Sequence, residues 1–140
     1  MKLNELDKNQ KWIVAVSGGS DSMALLHMCK EAELSIIAAH MNYQKRKTAQ
    51  RDSDGVRAFC MKHHIPIELR YQEEPCHSNF QAFARKKRYE FFYELLMKHQ
   101  AQGVLVAHQL DDHLETYLMQ QEKGLIPQTY GLCEQIELFH

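Results

Sequence analysis

Six consecutive residues, Ser17-Gly18-Gly19-Ser20-Asp21-Ser22, hold the densest chemistry in this chain. Paired glycines allow a tight turn and leave its amides uncovered by side chains. Uncovered amides opening a helix attract anions, phosphate above all. Hydroxyls of Ser17, Ser20 and Ser22 add further donors. No Lys follows the glycines, so this is not the G-x-x-x-x-G-K-S/T nucleotide loop, and the third glycine of a dinucleotide fingerprint is missing. Asp21 sets a carboxylate inside the anion site, where it repels phosphate unless a cation such as Mg²⁺ lies between them. The plainer alternative is an Asp that merely caps the helix at Ser22.

A second polar cluster stands at His108, Asp111, Asp112, Glu115 and Thr116. Three- and four-residue spacing predicts a helical face shared by Asp112, Glu115 and Thr116. Acids in a first helical turn are stabilised by the helix dipole whatever else they do. If both clusters sit at strand ends, Asp21 and Asp112 can flank one Mg²⁺. Arg85 and Arg88, at i and i+3, are close enough to address one anion together, or are simply two solvated arginines. Lys45, Arg46, Lys47 and Arg51 form a basic run, either solvated surface or a contact for RNA phosphates.

These groups need a scaffold. Trp12 to Val16 is short and apolar enough for a buried strand. Ala24, Leu25, Leu26, Met28, Cys29 and Ala32 then recur at helical spacing. Leu34 to Met41 reads as a second buried strand, and Val56, Phe59, Cys60 and His63 mark one face of a second helix. A third strand is expected over Ile65 to Tyr71, with Pro66 at its start. Asn79 is a good N-cap for a long helix whose core face runs Phe80, Phe83, Ala84, Phe91 and Leu95. Gly103 is expected to end that helix and Val104 to His108 to form a fourth strand. The tail from Lys123 reads as a loop, with a short strand beginning near Ile136. Strands alternating with helices, and polar groups at strand ends, imply an α/β fold. The expected form is a doubly wound parallel sheet of four to five strands with helices on both faces.

The chain has 140 residues, 44% of them hydrophobic and 25% charged, which suits one globular domain with a real core. A net charge of −1 makes it no general electrostatic magnet for nucleic acid. No run approaches a membrane span, and Met1-Lys2-Leu3-Asn4-Glu5 begins no signal peptide, so a cytoplasmic location is expected. Four cysteines without a C-x-x-C pair point to reduced thiols, with Cys29 and Cys60 on apolar helix faces. Nine histidines include no H-E-x-x-H motif and no Cys/His cluster, so a structural zinc site is not expected.

The turn at 17–22 resembles the pyrophosphatase loop of the N-type ATP pyrophosphatases. Its company narrows the match: Ala39-His40-Met41-Asn42-Tyr43, Asn79-x-x-Ala82-x-Ala84-Arg85-x-x-Arg88-Tyr89, and Ala107-His108-x-x-Asp111-Asp112-x-x-Glu115-Thr116. In that order and spacing the chain, over roughly residues 12 to 132, is similar to the tRNA(Ile)-lysidine synthetase family. The resemblance implies an enzyme that uses ATP to adenylate the C2 oxygen of the wobble cytidine in an isoleucine tRNA with a CAU anticodon. The lysine ε-amine then displaces AMP. It further implies that Ser17, Gly18, Gly19, Ser20, Asp21 and Ser22 hold the triphosphate and that Asp21 and Asp112 hold Mg²⁺. Backbone at Ala39 to Met41 would meet the adenine, and His108 and Arg85 would lie near the α-phosphate or the cytidine. ATP and Mg²⁺ are thus the expected cofactors, and tRNA(Ile) and L-lysine the expected substrates.

Two departures stand out. Tyr43-Gln44-Lys45 replaces the commoner His-Gly-Leu, and the chain ends before the C-terminal tRNA-binding region usual in the family. The expectation is one nucleotide-binding domain over 1–140, cut before a fifth strand. The open edge beside strand four would then be shielded by the tail from Gly124 or paired with a second copy as a homodimer. Two rival readings remain: a tRNA 2-thiocytidine-type sulfur transferase, which the missing cysteine pairs disfavour, and a non-catalytic adenine-nucleotide binding module.

Overall fold

A computed structural model describes residues 5–43, 49–72, 79–110, 113–119 and 134–136; for 108–110, 113–119 and 134–136 the description is of the backbone. Strands and helices alternate as β1 (Lys11–Ala15), α1 (Ser20–Glu31), β2 (Ser35–Asn42), α2 (Ala49–Lys62), β3 (Ile67–Tyr71), α3 (Phe80–His99) and β4 (Gly103–Leu110). Two further strands follow, β5 (His113–Met119) and β6 (Glu134–Ile136). The sheet order is β3-β2-β1-β4-β5-β6. β3, β2, β1 and β4 run parallel, while β5 and β6 are antiparallel additions.

Alternation along the central strands divides the core into two layers. Trp12, Val14, Ile36, Ala38 and Leu105 pack with Leu25, Leu26 and Cys29 of α1 and Val56 and Cys60 of α2. Ile13, Ile37, Ala39 and Val104 face the other way and pack against Phe91, Phe92, Leu95 and Leu96 of α3. A parallel sheet covered on both faces explains why its strands read as near-continuous apolar runs. Ile13, Val14, Leu25, Leu26 and Leu105 are fully buried, each contributing about 1.5–3 kcal/mol by transfer from water. The doubly wound expectation therefore holds.

Helix α3 starts as expected, with the Asn79 side chain accepting hydrogen bonds from the amides of Gln81 at 2.9 Å and Ala82 at 3.4 Å. It ends earlier than Gly103. Gln100 takes the left-handed conformation at φ 53°, and Gly103 opens β4. Helices α1 and α2 are likewise followed by left-handed non-glycine residues, Glu33 at φ 61° and His64 at φ 57°. Each such turn is closed by a backward hydrogen bond: Leu34 to the Cys29 carbonyl at 3.2 Å, Ile65 to Cys60 at 2.8 Å, and Ala101 to Leu96 at 3.0 Å.

The helix expected at 112–116 does not form. Glu115 and Thr116 are consecutive positions of strand β5, which pairs with β4 over its whole length from Val104↔Met119 to Leu110↔His113. An uncovered β4 edge would present a row of unsatisfied amides and carbonyls, and an antiparallel return satisfies them within the chain. Thr116 and Tyr117 are good strand formers, so local preference agrees. The edge of β4 is thus covered by β5. The described residues of the tail form β6, which pairs with β5. No helix among the described residues is long and apolar enough to cross a membrane.

Candidate functional site

The strand order reverses between β1 and β4, and in open parallel sheets ligands collect in the crevice beyond the strand ends at that point. A cavity of about 470 Å³ lies there. Ala15 to Ser17 and Ser22 form its floor, Ala39 to Tyr43 one flank, and Val106 and Ala107 of β4 another. Asp52 of α2 and Arg88 of α3 bring the charged side chains.

The turn between β1 and α1 is a closed ring of hydrogen bonds. The Ser22 hydroxyl accepts from the Ser17 amide at 3.0 Å and donates to the Gly19 carbonyl at 3.1 Å. Ser17 Oγ lies 3.1 Å from Ser22 Oγ and accepts from the Gly19 amide at 3.3 Å. Those internal bonds leave the amides of Gly18, Ser20, Asp21 and Ser22 without an acceptor among the described residues. Gly19 is the N-cap of α1 but offers no side-chain cap. Four free donors thus lie at the positive end of α1. Gly18 has φ 96°, and a Cβ there would stand 2.8 Å from Asp52 Cβ, so both backbone and neighbour require glycine.

Behind the cavity runs a buried polar chain. His40 Nδ1 lies 2.7 Å from the Val16 carbonyl, and its Nε2 lies 2.8 Å from Ser53 Oγ. Asn42 Nδ2 donates to the same Ser53 oxygen at 2.9 Å and to the Ala49 carbonyl at 3.4 Å. The chain ties the end of β1 and the tip of β2 to the start of α2. Nearer the mouth, the Tyr43 hydroxyl donates to the Ala84 carbonyl at 3.1 Å, and its ring meets Phe80 edge-on at 5.8 Å. Burial raises the Tyr43 phenol above its usual range, partly opposed by the Arg88 guanidinium.

Ala39 and Met41 line the cavity, as do Ser17 and Ser22. Asp21 sits half-buried in the first turn of α1, accepting no hydrogen bond among the described residues. Arg85 is exposed and packs over the Tyr89 ring at 4.8 Å, whereas Arg88, one turn on, lines the cavity. His108 lies on β4 directly opposite Glu115 of β5. Asp111 and Asp112 fall outside the described residues, as does most of the basic run, with exposed Arg51 on α2. Asp52 and the His40–Ser53–Asn42 chain have no counterpart in the sequence reading, because contacts between separate elements leave no periodic trace.

The donor set suits a polyphosphate: free amides, hydroxyls and a helix start. Among the described residues no group of three His, Cys, Asp or Glu side chains is arranged to hold a metal. The carboxylate of Asp21 is nonetheless a hard oxygen donor of the kind Mg²⁺ takes alongside phosphate oxygens. Burial pushes the thiols of Cys29 and Cys60 up to about 12 and about 11, leaving both protonated and poorly nucleophilic.

The chain is 39% identical over 132 residues to a tRNA(Ile)-lysidine synthase from Ureaplasma parvum, an alignment covering 90% of this chain and 39% of that protein. It is 40% identical over 116 residues to one from Mycoplasmopsis pulmonis, covering 82% and 40%. A third, from Chlamydia muridarum, is 35% identical over 124 residues, covering 86% and 39%. The chain thus spans about two fifths of the length of these relatives. Among solved structures, a U34-tRNA thiolase from Methanococcus maripaludis superposes with a TM-score of 0.66 at 19% identity, over 76% of this chain and 41% of that one. An NH3-dependent NAD synthetase from Campylobacter jejuni gives 0.56 at 18%, over 74% and 48%. Those two likenesses concern the fold. Residues 1–135 match the family described as the PP-loop domain, and with the glycine turn at the head of α1 they establish that the chain belongs to it.

Proposed function

We propose that this domain catalyses the ATP-dependent conversion of the wobble cytidine of an isoleucine tRNA with a CAU anticodon to lysidine. The observation that carries the reading is the turn at the head of α1, whose amides at Gly18, Ser20, Asp21 and Ser22 have no acceptor among the described residues, beside a cavity at the reversal point of the sheet that Ser17 and Ser22 line. The identity to lysidine synthases from several bacteria supports the choice of substrate.

In this reading residues 17–22 hold the β- and γ-phosphates of ATP. The cytidine C2 oxygen attacks the α-phosphorus and pyrophosphate departs. The lysine ε-nitrogen then attacks C2 and AMP leaves. A ring carbonyl oxygen is a poor leaving group, and its transfer to phosphate makes it a good one. Adenylyl transfer depends mainly on alignment and charge neutralisation. Asp21, together with Asp112, would hold Mg²⁺, which when bound would supply neutralising charge at the phosphates. Backbone at Ala39 and Met41 is assigned to the adenine, and Arg85 and His108 to the α-phosphate and cytidine. Arg88 also lines the cavity, a further cation beside these groups.

The test is to incubate the chain with ATP, Mg²⁺, labelled lysine and CAU-anticodon tRNA. Expected are ATP–pyrophosphate exchange that depends on the tRNA, and label transferred to RNA. Exchange indifferent to RNA, or nucleotide binding with no exchange, would favour a nucleotide-binding module instead.

A further inference from the structure

We propose that Asp52 is the group that receives the ammonium of the amino-acid substrate, an inference that rests on the lysidine reading of the site. Asp52 and Arg88 are the formally charged side chains among the described residues lining the cavity. No hydrogen bond or ion pair to the Asp52 carboxylate is made by any described residue. Its position is fixed from two sides. Its Cβ lies where a Cβ on Gly18 would come within 2.8 Å, so the carboxylate stands over the anion turn. Its neighbour Ser53 is fully buried and bonded to both His40 and Asn42, which anchors that turn of α2.

A carboxylate held against a polyphosphate site is repelled by its ligand unless a cation lies between. Two cations are in question, Mg²⁺ and an ammonium. Among the described residues Asp52 belongs to no group of three His, Cys, Asp or Glu side chains, and a carboxylate outside such a group is a weaker site for a metal. It is a sufficient partner for one ammonium. The surrounding wall of Ala49, Tyr43, Phe80, Ala84 and Phe92 suits a methylene stem. Arg88 on α3 supplies the opposite charge, suited to the amino acid's own carboxylate. Acidic residues in a first helical turn are common without any ligand. What distinguishes Asp52 is that it has no partner among the described residues, is wedged against the phosphate turn and lines the cavity.

The experiment measures L-lysine affinity by calorimetry on the chain loaded with Mg²⁺ and an ATP analogue that cannot be cleaved between the α- and β-phosphates. Wild type is compared with Asp52→Asn, which keeps the packing on Gly18, and with Asp52→Glu, which keeps the charge. Thermal unfolding and analogue affinity are recorded for all three. Expected is at least a tenfold loss of lysine affinity in Asp52→Asn, partial retention in Asp52→Glu, and analogue affinity changed less than twofold. Equal lysine affinity in wild type and Asp52→Asn overturns the assignment while leaving the lysidine reading intact. A loss confined to Mg²⁺-dependent analogue affinity overturns it too, giving the carboxylate to the metal. Wild type that binds the analogue but never lysine overturns the lysidine reading, and the assignment with it.

Discussion

His40 holds the carbonyl of Val16, the residue that follows the first strand, at 2.7 Å and the Ser53 hydroxyl at 2.8 Å from its other nitrogen. A carbonyl can only accept, so Nδ1 carries the proton and Nε2 accepts from Ser53. The Ser53 oxygen remains free to accept from Asn42, and the three buried side chains are mutually satisfied. One imidazole thereby sets where the chain leaves β1 and enters the anion turn.

His40→Ala should leave the Val16 carbonyl and the Ser53 hydroxyl buried without partners. An orphaned buried group costs about 1–3 kcal/mol, so a destabilisation of about 3 kcal/mol is expected in urea titrations at neutral pH. A loss below about 1 kcal/mol would mean that water takes over the role of the ring.

Gly18→Ala combines a positive φ with a contact on Asp52 Cβ. Left-handed strain of about 1–2 kcal/mol adds to an overpacking cost of about 1–3 kcal/mol. ATP affinity should fall at least tenfold as the turn shifts. A double-mutant cycle with Asp52→Gly isolates the contact, and a favourable coupling of about 1 kcal/mol is expected. Strict additivity would assign the whole effect to the backbone.

Ser22→Ala opens the ring that shapes the turn, deleting one donor and one doubly used acceptor. Stability should drop by about 1–2 kcal/mol, and nucleotide affinity should fall while the affinity for lysine at saturating nucleotide changes little. Calorimetry with each ligand separately tests this. Unchanged nucleotide affinity would mean that the amides keep their aim without the hydroxyl.

At the far end of α3, Glu68 meets Lys98 Nζ at 2.8 Å and His99 Nε2 at 2.5 Å. Chiefly the hydrogen bond from Lys98 holds its carboxyl below the usual range. A depressed carboxylate stabilises the fold above its unfolded pKa, near 4.3, and that contribution is lost as pH falls through the lower folded value. Glu68→Gln should therefore lower stability by up to about 1 kcal/mol at pH 7 and not at all near pH 2. An equal difference at both pH values would exclude the ion pair as its source.

What could be read from the residues was whatever has a local cause. The β1-turn-α1 unit was legible because a buried apolar run, two glycines and a helical repeat are consecutive. Asn79 was legible because an N-cap acts on amides two and three residues ahead. The region after β4 was misread for the same reason: spacing at 112–116 fits a helix, but the outcome turns on an uncovered strand edge that only the assembled sheet possesses. Gly103 is the residue whose type suits a helix end, yet Gln100 is bent into that role. Asp52, Ser53 and His40 matter through contacts between α2, the turn and β2, which leave no periodic trace in the sequence.

The three left-handed residues that end the helices, Glu33, His64 and Gln100, are all exposed and none is glycine. Each lies where a helix hands the chain to the next strand, at the end of the sheet away from the nucleotide cavity. Replacing each with glycine should relieve strain of about 1–2 kcal/mol, less the larger entropy glycine loses on folding, about 0.5–1 kcal/mol. The triple variant would melt several degrees higher with ATP affinity unaltered. Heat resistance in this domain is thus held in a reserve that selection or an engineer can draw on without touching its chemistry.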